Sequence, residues 1–386
     1  MKLAGLALSI AACTLSTSAL SQQLGWSTQT IPGEVADLGI QTDGLNNAYI
    51  AYSLYDGSFP RNVKVIKLDS ETNTVSDNLD SQDVISGSNI EIAVDKNDQT
   101  VYVFVSKRDD QDNIVGEIWA LKQGGSWTLI SSNANIAMID TSYSSAISVA
   151  PNGEVYVVYQ TSKVGVVDND FLKVKKYSPK TGTWTDLDST GLLPLPPEGE
   201  QLLIRHLKIN FKGNTPYISF VEAASVLSQV VVSHIDLETE KGVTDFEGGE
   251  LGAVAFPDLL LGDNDDMKLT FIQNSGQYWR PAEYAISDGV YQQLYYGSDH
   301  AGYFMSAVQT SDHNTSVITF RDDTNNYKPT LIELSSDGVE LGKKVFQYDT
   351  VYNVSAMSKD NIIFNAFSTH ENSGSLDLVV KYKHIK

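Results

Sequence analysis

The sequence predicts an all-β chain: seven four-stranded antiparallel units in series, closed into a ring. Three observations lead there. One strand-like segment recurs seven times, as Tyr49-Ile-Ala-Tyr, Tyr102-Val-Phe-Val, Tyr156-Val-Val-Tyr, Tyr217-Ile-Ser-Phe, Leu269-Thr-Phe-Ile, Val317-Ile-Thr-Phe and Ile362-Ile-Phe-Asn, at spacings of 53, 54, 61, 52, 48 and 45 residues. That is near the ~40–50 residues of a unit in radially repeated sheets. Turn-forming residues sit just before each copy. No segment carries a long apolar pattern of period 3.6, so helix is minor.

In chain order, Met1-Lys2 followed by the apolar Leu3–Leu15 and the small residues of Ala19-Leu20-Ser21 reads as a secretory signal peptide, residues 1–21, cleaved before Gln22. Its apolar part is too short for a permanent membrane span. The only cysteine, Cys13, lies inside it. A lipid anchor at Cys13 is the alternative to cleavage and is disfavoured by the short apolar run before it. The remaining 22–386 are expected to form a single domain without a thiol, and the protein to be secreted or periplasmic and monomeric.

The clearest unit is 145–187. Ser145–Ala150 alternates and breaks at Pro151-Asn152-Gly153. Glu154–Gln160 is rich in β-branched and aromatic residues. Phe171–Tyr177 and Thr183–Leu187 follow, separated by Ser178–Gly182. Tight turns of Gly, Asn and Asp supply the positive φ that hairpins demand. They recur before the anchors (Asp43-Gly44, Asn97-Asp98, Asn152-Gly153, Gly213-Asn214) and between third and fourth strands (Gly124-Gly125, Thr181-Gly182, Asp288-Gly289, Asp337-Gly338). The last unit has a third strand, Leu376–His384, and no fourth. The segment Gly25-Trp26-Ser27-Thr28 matches the fourth strands Gly125-Ser126-Trp127-Thr128 and Gly182-Thr183-Trp184-Thr185. The N-terminal strand is therefore expected to complete the last unit. Trp26, Trp127 and Trp184 share one repeat position, which points to packing between neighbouring sheets. This arrangement resembles the secreted seven-bladed β-propellers, whose N-terminal strand closes the last blade. No narrower family motif is present.

Lys and Arg number 27 against 48 Asp and Glu, a net charge of −21, with an isoelectric point near 4.5. Nucleic acid and anionic membrane surfaces need a basic face, so both are excluded as general partners. Polar and aromatic loop residues, without a catalytic motif, point first to a carbohydrate or other small polar ligand.

In propeller geometry the first-to-second and third-to-fourth turns share one face. The longer loops share the other, and variable loops on a rigid scaffold carry specificity. The ligand-binding candidates on that face are Arg61, Arg205, His206, Tyr278, Trp279, Arg280, His300, Tyr303, Arg321 and His370, with Tyr55 of blade one and Tyr352 of blade seven on the same face. Tyr278-Trp279-Arg280 suits stacking on a sugar ring beside a grip on a carboxylate. The longest insertion, Ser189–Leu203, is stiffened by Pro194, Pro196 and Pro197 and suits a wall or lid. His313 belongs to the short-turn face, and His234 and His384 to third strands.

Three functions compete: a binding propeller, a polysaccharide-active enzyme, and a cell-envelope scaffold. A lyase would use Tyr278, His300 or His370 as base with Arg280 on a uronate. A glycosidase would use paired carboxylates, with Asp299 and Glu371 as the candidates. No cofactor is predicted. A Ca or Zn ion at the acidic runs 109–113, 168–170 or 263–266, or at a His cluster, has no supporting ligand motif.

Overall fold

The computed structural model describes residues 25–55, 60–76, 79, 81, 84–138, 145–161, 172–193, 203–223, 228–262, 266–287, 289–302, 304–370 and 376–385. The expected signal segment and Cys13 lie outside them, as do Tyr303, Glu371, the acidic run 168–170, residues 263–265 of the acidic run 263–266 and the prolines of the long insertion. Seven antiparallel sheets are arranged as the blades of a propeller. Their innermost strands are Val35–Thr42, Ser88–Val94, Ser145–Val149, Leu203–Lys212, Val254–Leu261, Ser306–Gln309 and Asp349–Met357. The fourth strand of blade 2 departs from the expected form. It is split into Thr128–Leu129 and Ala137–Met138, which pair with opposite ends of Ile114–Leu121. Ala134 and Ile136, both buried between the two pieces, explain the detour.

The second strands show why each blade needs two neighbours. Successive strand residues point to opposite faces. In Asn47–Leu54, Ala48, Ile50 and Tyr52 pack with Phe364, Ala366 and Val380 of blade 7, whereas Tyr49 and Ala51 pack with Ile90, Ile92 and Val103 of blade 2. In Val155–Gln160, Val155, Val157 and Tyr159 face blade 2, and Tyr156 and Val158 face blade 4. A sheet apolar on both faces is stable only between two others, which drives ring closure.

The N-terminal strand Ser27–Ile31 pairs antiparallel with Leu376–His384, from Ser27 opposite Tyr382 to Ile31 opposite Leu378. It also ties blade 7 to both neighbours. Trp26 meets Phe346 of blade 6 edge-on at 4.9 Å, and Gln29 Nε2 donates to the Asn73 carbonyl of blade 1 at 2.7 Å. The shared tryptophan position is structural. Trp127 Nε1 donates to the Leu79 carbonyl (2.9 Å) and Trp184 Nε1 to that of Ile130 (2.8 Å), each reaching the preceding blade.

Five innermost strands share an irregularity near the long-loop face. Their register shifts between Val35 and Asp37, Ser88 and Glu91, Arg205 and Lys208, Ala255 and Asp258, and Thr350 and Asn353. Such bulges re-aim side chains at the rims of closed sheets. Here they surround the central channel.

Candidate functional site at the channel mouth

Inside the bulges, Asn89, His206 and Phe256 have φ of 53°, 56° and 54°, and Phe304, just before the innermost strand of blade 6, has 63°. Left-handed backbone at residues other than glycine costs about 1–2 kcal/mol each. The same costly conformation at corresponding places in four blades is a feature of the site. In blades 4 to 6 it aims rings that meet one another and Tyr352 of blade 7: His206 to Phe256 at 4.0 Å, Phe256 to Phe304 at 5.6 Å and Phe304 to Tyr352 at 4.7 Å between centroids. The four half-buried side chains form an aromatic arc over a channel cavity of about 120 Å³. Asp37 and Asn89 complete the mouth on blades 1 and 2. Arg61 acts electrostatically on both Asp37 and Tyr352 and stacks on Tyr55 at 5.2 Å.

Below the arc the channel wall is charged. Glu91, Lys208 and Asp258, each the first paired residue after its bulge, interact across it. Glu91 raises Lys208 above the usual lysine range, with Asp258 adding to the effect against burial. Burial raises Asp37, Glu91 and Asp258 above the usual carboxylate range. Lys208 opposes this at Glu91 and Asp258, and main-chain N–H groups oppose it at Asp37. Several wall groups also lace adjacent blades. Asp37 Oδ2 accepts from Ile90 N (2.9 Å), Asn89 Nδ2 donates to Ser145 Oγ (2.7 Å), and Asp258 Oδ2 accepts from Ala307 N (3.0 Å).

Burial, reinforced by Arg205 and Lys208, pushes the His206 imidazole down to about 3, so it is neutral at physiological pH. Burial and Asp37 raise the Tyr352 phenol. A folded-state histidine pKa below the unfolded value means that the unfolded chain binds the extra proton first as pH falls. Relative to His206→Gln, the wild type should therefore lose about 1.4 kcal/mol of stability per pH unit on going from about pH 6.5 toward 3. Parallel denaturation curves would check this, and identical pH slopes for the two proteins would refute it.

The expected site residues divide into groups. His206 belongs to the arc, with Arg61 and Arg205 at its edge. Tyr278, Trp279, Arg280, His300 and Arg321 gather on the same face over blades 5 and 6, away from the cavity lining. His370 ends the second strand of blade 7 on that face, opposite Asp349. Tyr303 lies outside the described residues. Asp299 is held by Lys343, which removes it as a free catalytic carboxylate. Asp109 accepts hydrogen bonds from Gln111 N and Asn113 N within its own turn. Among the described residues, no group of three His, Cys, Asp or Glu side chains is arranged to hold a metal ion.

Asp37, Asn89, Glu91, Lys208, Phe256 and Asp258 escaped the sequence reading because they sit in strands whose alternation reads as ordinary packing, and Phe304 because it sits in the connection just before one. The available signal was a charged residue five or six positions before the hairpin turn in several units: Glu91 before Asn97, Lys208 before Gly213 and Asp258 before Asp263.

No protein-family model matches the chain, and no curated protein matches it. Its fold, however, is shared. The polysaccharide lyase Uly1 superposes with a TM-score of 0.59 at 10% identity, over 92% of this chain and 90% of that one. A polysaccharide lyase of family PL25, an ulvan lyase bound to -[GlcA(1-4)Rha3S]-, gives 0.58 at 9% identity, over 92% and 96%. AofleA from Arthrobotrys oligospora, solved as a mutant, gives 0.52 at 12% identity, over 83% and 90%. The chain is a seven-bladed β-propeller. At these identities the likeness concerns the fold alone, and function rests on the site.

Proposed function

We propose that this propeller is a secreted carbohydrate-binding protein whose ligand seats at the channel mouth. The observation that carries the reading is the arc of His206, Phe256, Phe304 and Tyr352, assembled from four blades, with left-handed backbone at the first three. Aromatic faces rimmed by hydrogen-bonding groups suit a sugar, which offers C–H faces and hydroxyl edges. Asn89, Asp37 and Arg61 provide the polar rim. Calorimetric titration with a panel of neutral and acidic saccharides is the test. Saturable binding to at least one saccharide is expected; a silent panel would overturn the reading.

A polysaccharide lyase is the second reading, supported by the two lyases that share the fold. Electrostatics at the mouth weigh against it. A general base works best with a pKa near the working pH, whereas His206 is pushed down to about 3 and Tyr352 is raised. Incubation with uronate polymers separates the two readings. Lyase action would raise ultraviolet absorbance from the new double bond, and a binding protein leaves it flat.

A further inference from the structure

We infer that the surface over blades 5 and 6 is a second subsite, built for an acidic sugar, so that the ligand is an anionic polysaccharide extending beyond the channel mouth. The inference rests on the carbohydrate reading above. Its core is the exposed Tyr278 ring stacked on His300, with centroids 3.6 Å apart and planes within 10°. Arg280 lies beside it, stacked on Tyr296 at 5.8 Å, and Arg321 stacks on Tyr327 at 5.1 Å. Tyr278, Tyr296 and Tyr327 all face solvent.

Three segments hold this surface rigid through main-chain hydrogen bonds. Ala301 N donates to the Trp279 carbonyl, Gly302 N to that of Arg321, and Asp323 N to that of His300, all between 2.7 and 2.9 Å. A Cβ at 302 would lie 2.7 Å from Arg321 Nε, so the glycine lets the Arg321 and Asp323 side chains lie close over the main chain. The local carboxylates are already engaged, Asp299 by Lys343 and Asp323 by Arg321. Arg280 donates one hydrogen bond, Nη1 to the Gly297 carbonyl at 3.3 Å, and its buried Nε has no partner. The remaining Nη hydrogens leave this guanidinium donor capacity for a carboxylate or sulfate.

Two wider features agree. The chain has five arginines, at 61, 108, 205, 280 and 321, and all lie at strand ends or loops on the long-loop face. In an acidic protein, the residue type suited to planar anions is thus confined to the face with the channel mouth. Phe304 of the arc follows Gly302, at one edge of this surface, by two residues, so the two subsites adjoin along one chain segment. A ligand of several sugars would cover both, and a disaccharide would fill one.

The test uses di-, tetra- and hexasaccharides of galacturonate, of mannuronate and guluronate, and of sulfated glucuronate, each beside its carboxyl-reduced neutral form. Wild type, Arg280→Gln and Tyr278→Ala are titrated with each. Tyr278→Ala removes an exposed ring and keeps the test valid should Arg280→Gln disturb the 297–302 loop. An acidic hexasaccharide should bind at least about tenfold more tightly than its disaccharide, because the second contact becomes intramolecular. Both variants and carboxyl reduction should remove that gain and leave disaccharide binding unchanged. Equal affinity for acidic and reduced hexasaccharides, or equal losses on disaccharide and hexasaccharide in the variants, would overturn the inference and leave the channel-mouth reading standing. Absence of any binding, acidic or neutral, would overturn both.

Discussion

Replacing Lys208 by Met is expected to cost about 1–3 kcal/mol of stability at neutral pH, because it removes the cation of a partly buried charge cluster on the channel wall. Lys208 is the cation between Glu91 and Asp258, and both carboxylates are already raised by burial while it is present. Without it they must protonate or repel. A carboxyl group whose folded pKa exceeds the unfolded value takes up its proton first in the folded state. The variant should therefore regain stability as pH falls through that raised pKa. Lys208→Met with Glu91→Gln should be less damaged than Lys208→Met alone, since one uncompensated charge is gone. Chemical denaturation at several pH values reads all three effects. A single variant within about 1 kcal/mol of wild type, with no pH dependence, would mean that the wall charges are not coupled.

Removal of residues 1–31 is expected to open the ring. The deletion exposes the edge of Leu376–His384, including Leu378 and Val380, and strips the Trp26 contact from blade 6 and the Gln29 contact from blade 1. The lost strand pairing and apolar contacts together amount to about 5 kcal/mol or more, and an unpaired apolar edge invites aggregation. Aggregation on heating, a large fall in Tm, and recovery on adding a peptide of residues 25–33 are expected. A truncated monomer with unchanged Tm would show that the ring does not depend on its N-terminal strand.

How much of this was legible beforehand follows from period and burial. Repeated anchors such as Tyr156-Val-Val-Tyr and the turns before them carry the blade, because two-faced packing imposes the same apolar strand seven times. The split strand 128–138 was not legible, since its detour depends on where Ala134 and Ile136 find room. His206 was picked out by type and face. Phe256, in a strand, and Phe304, just before one, were not, because aromatic residues there normally read as core and nothing local announces positive φ. Tyr278 and His300 were both singled out, but their face-to-face stack comes from blades 5 and 6 meeting in space. Charges such as Asp258 in Pro257-Asp258-Leu259 look solvent-facing until ring closure turns the innermost strand toward a narrow channel.

The most direct test of the account is calorimetric titration of Phe304→Ala beside wild type, using the tightest-binding saccharide of the panel. Phe304 joins Phe256 to Tyr352 in the arc, and its ring is half-buried at the mouth. Loss of a stacking face of this kind is expected to weaken binding at least tenfold, about 1.4 kcal/mol, with Tm close to that of wild type. Unchanged affinity in a folded Phe304→Ala protein would contradict the placement of the ligand at the channel mouth.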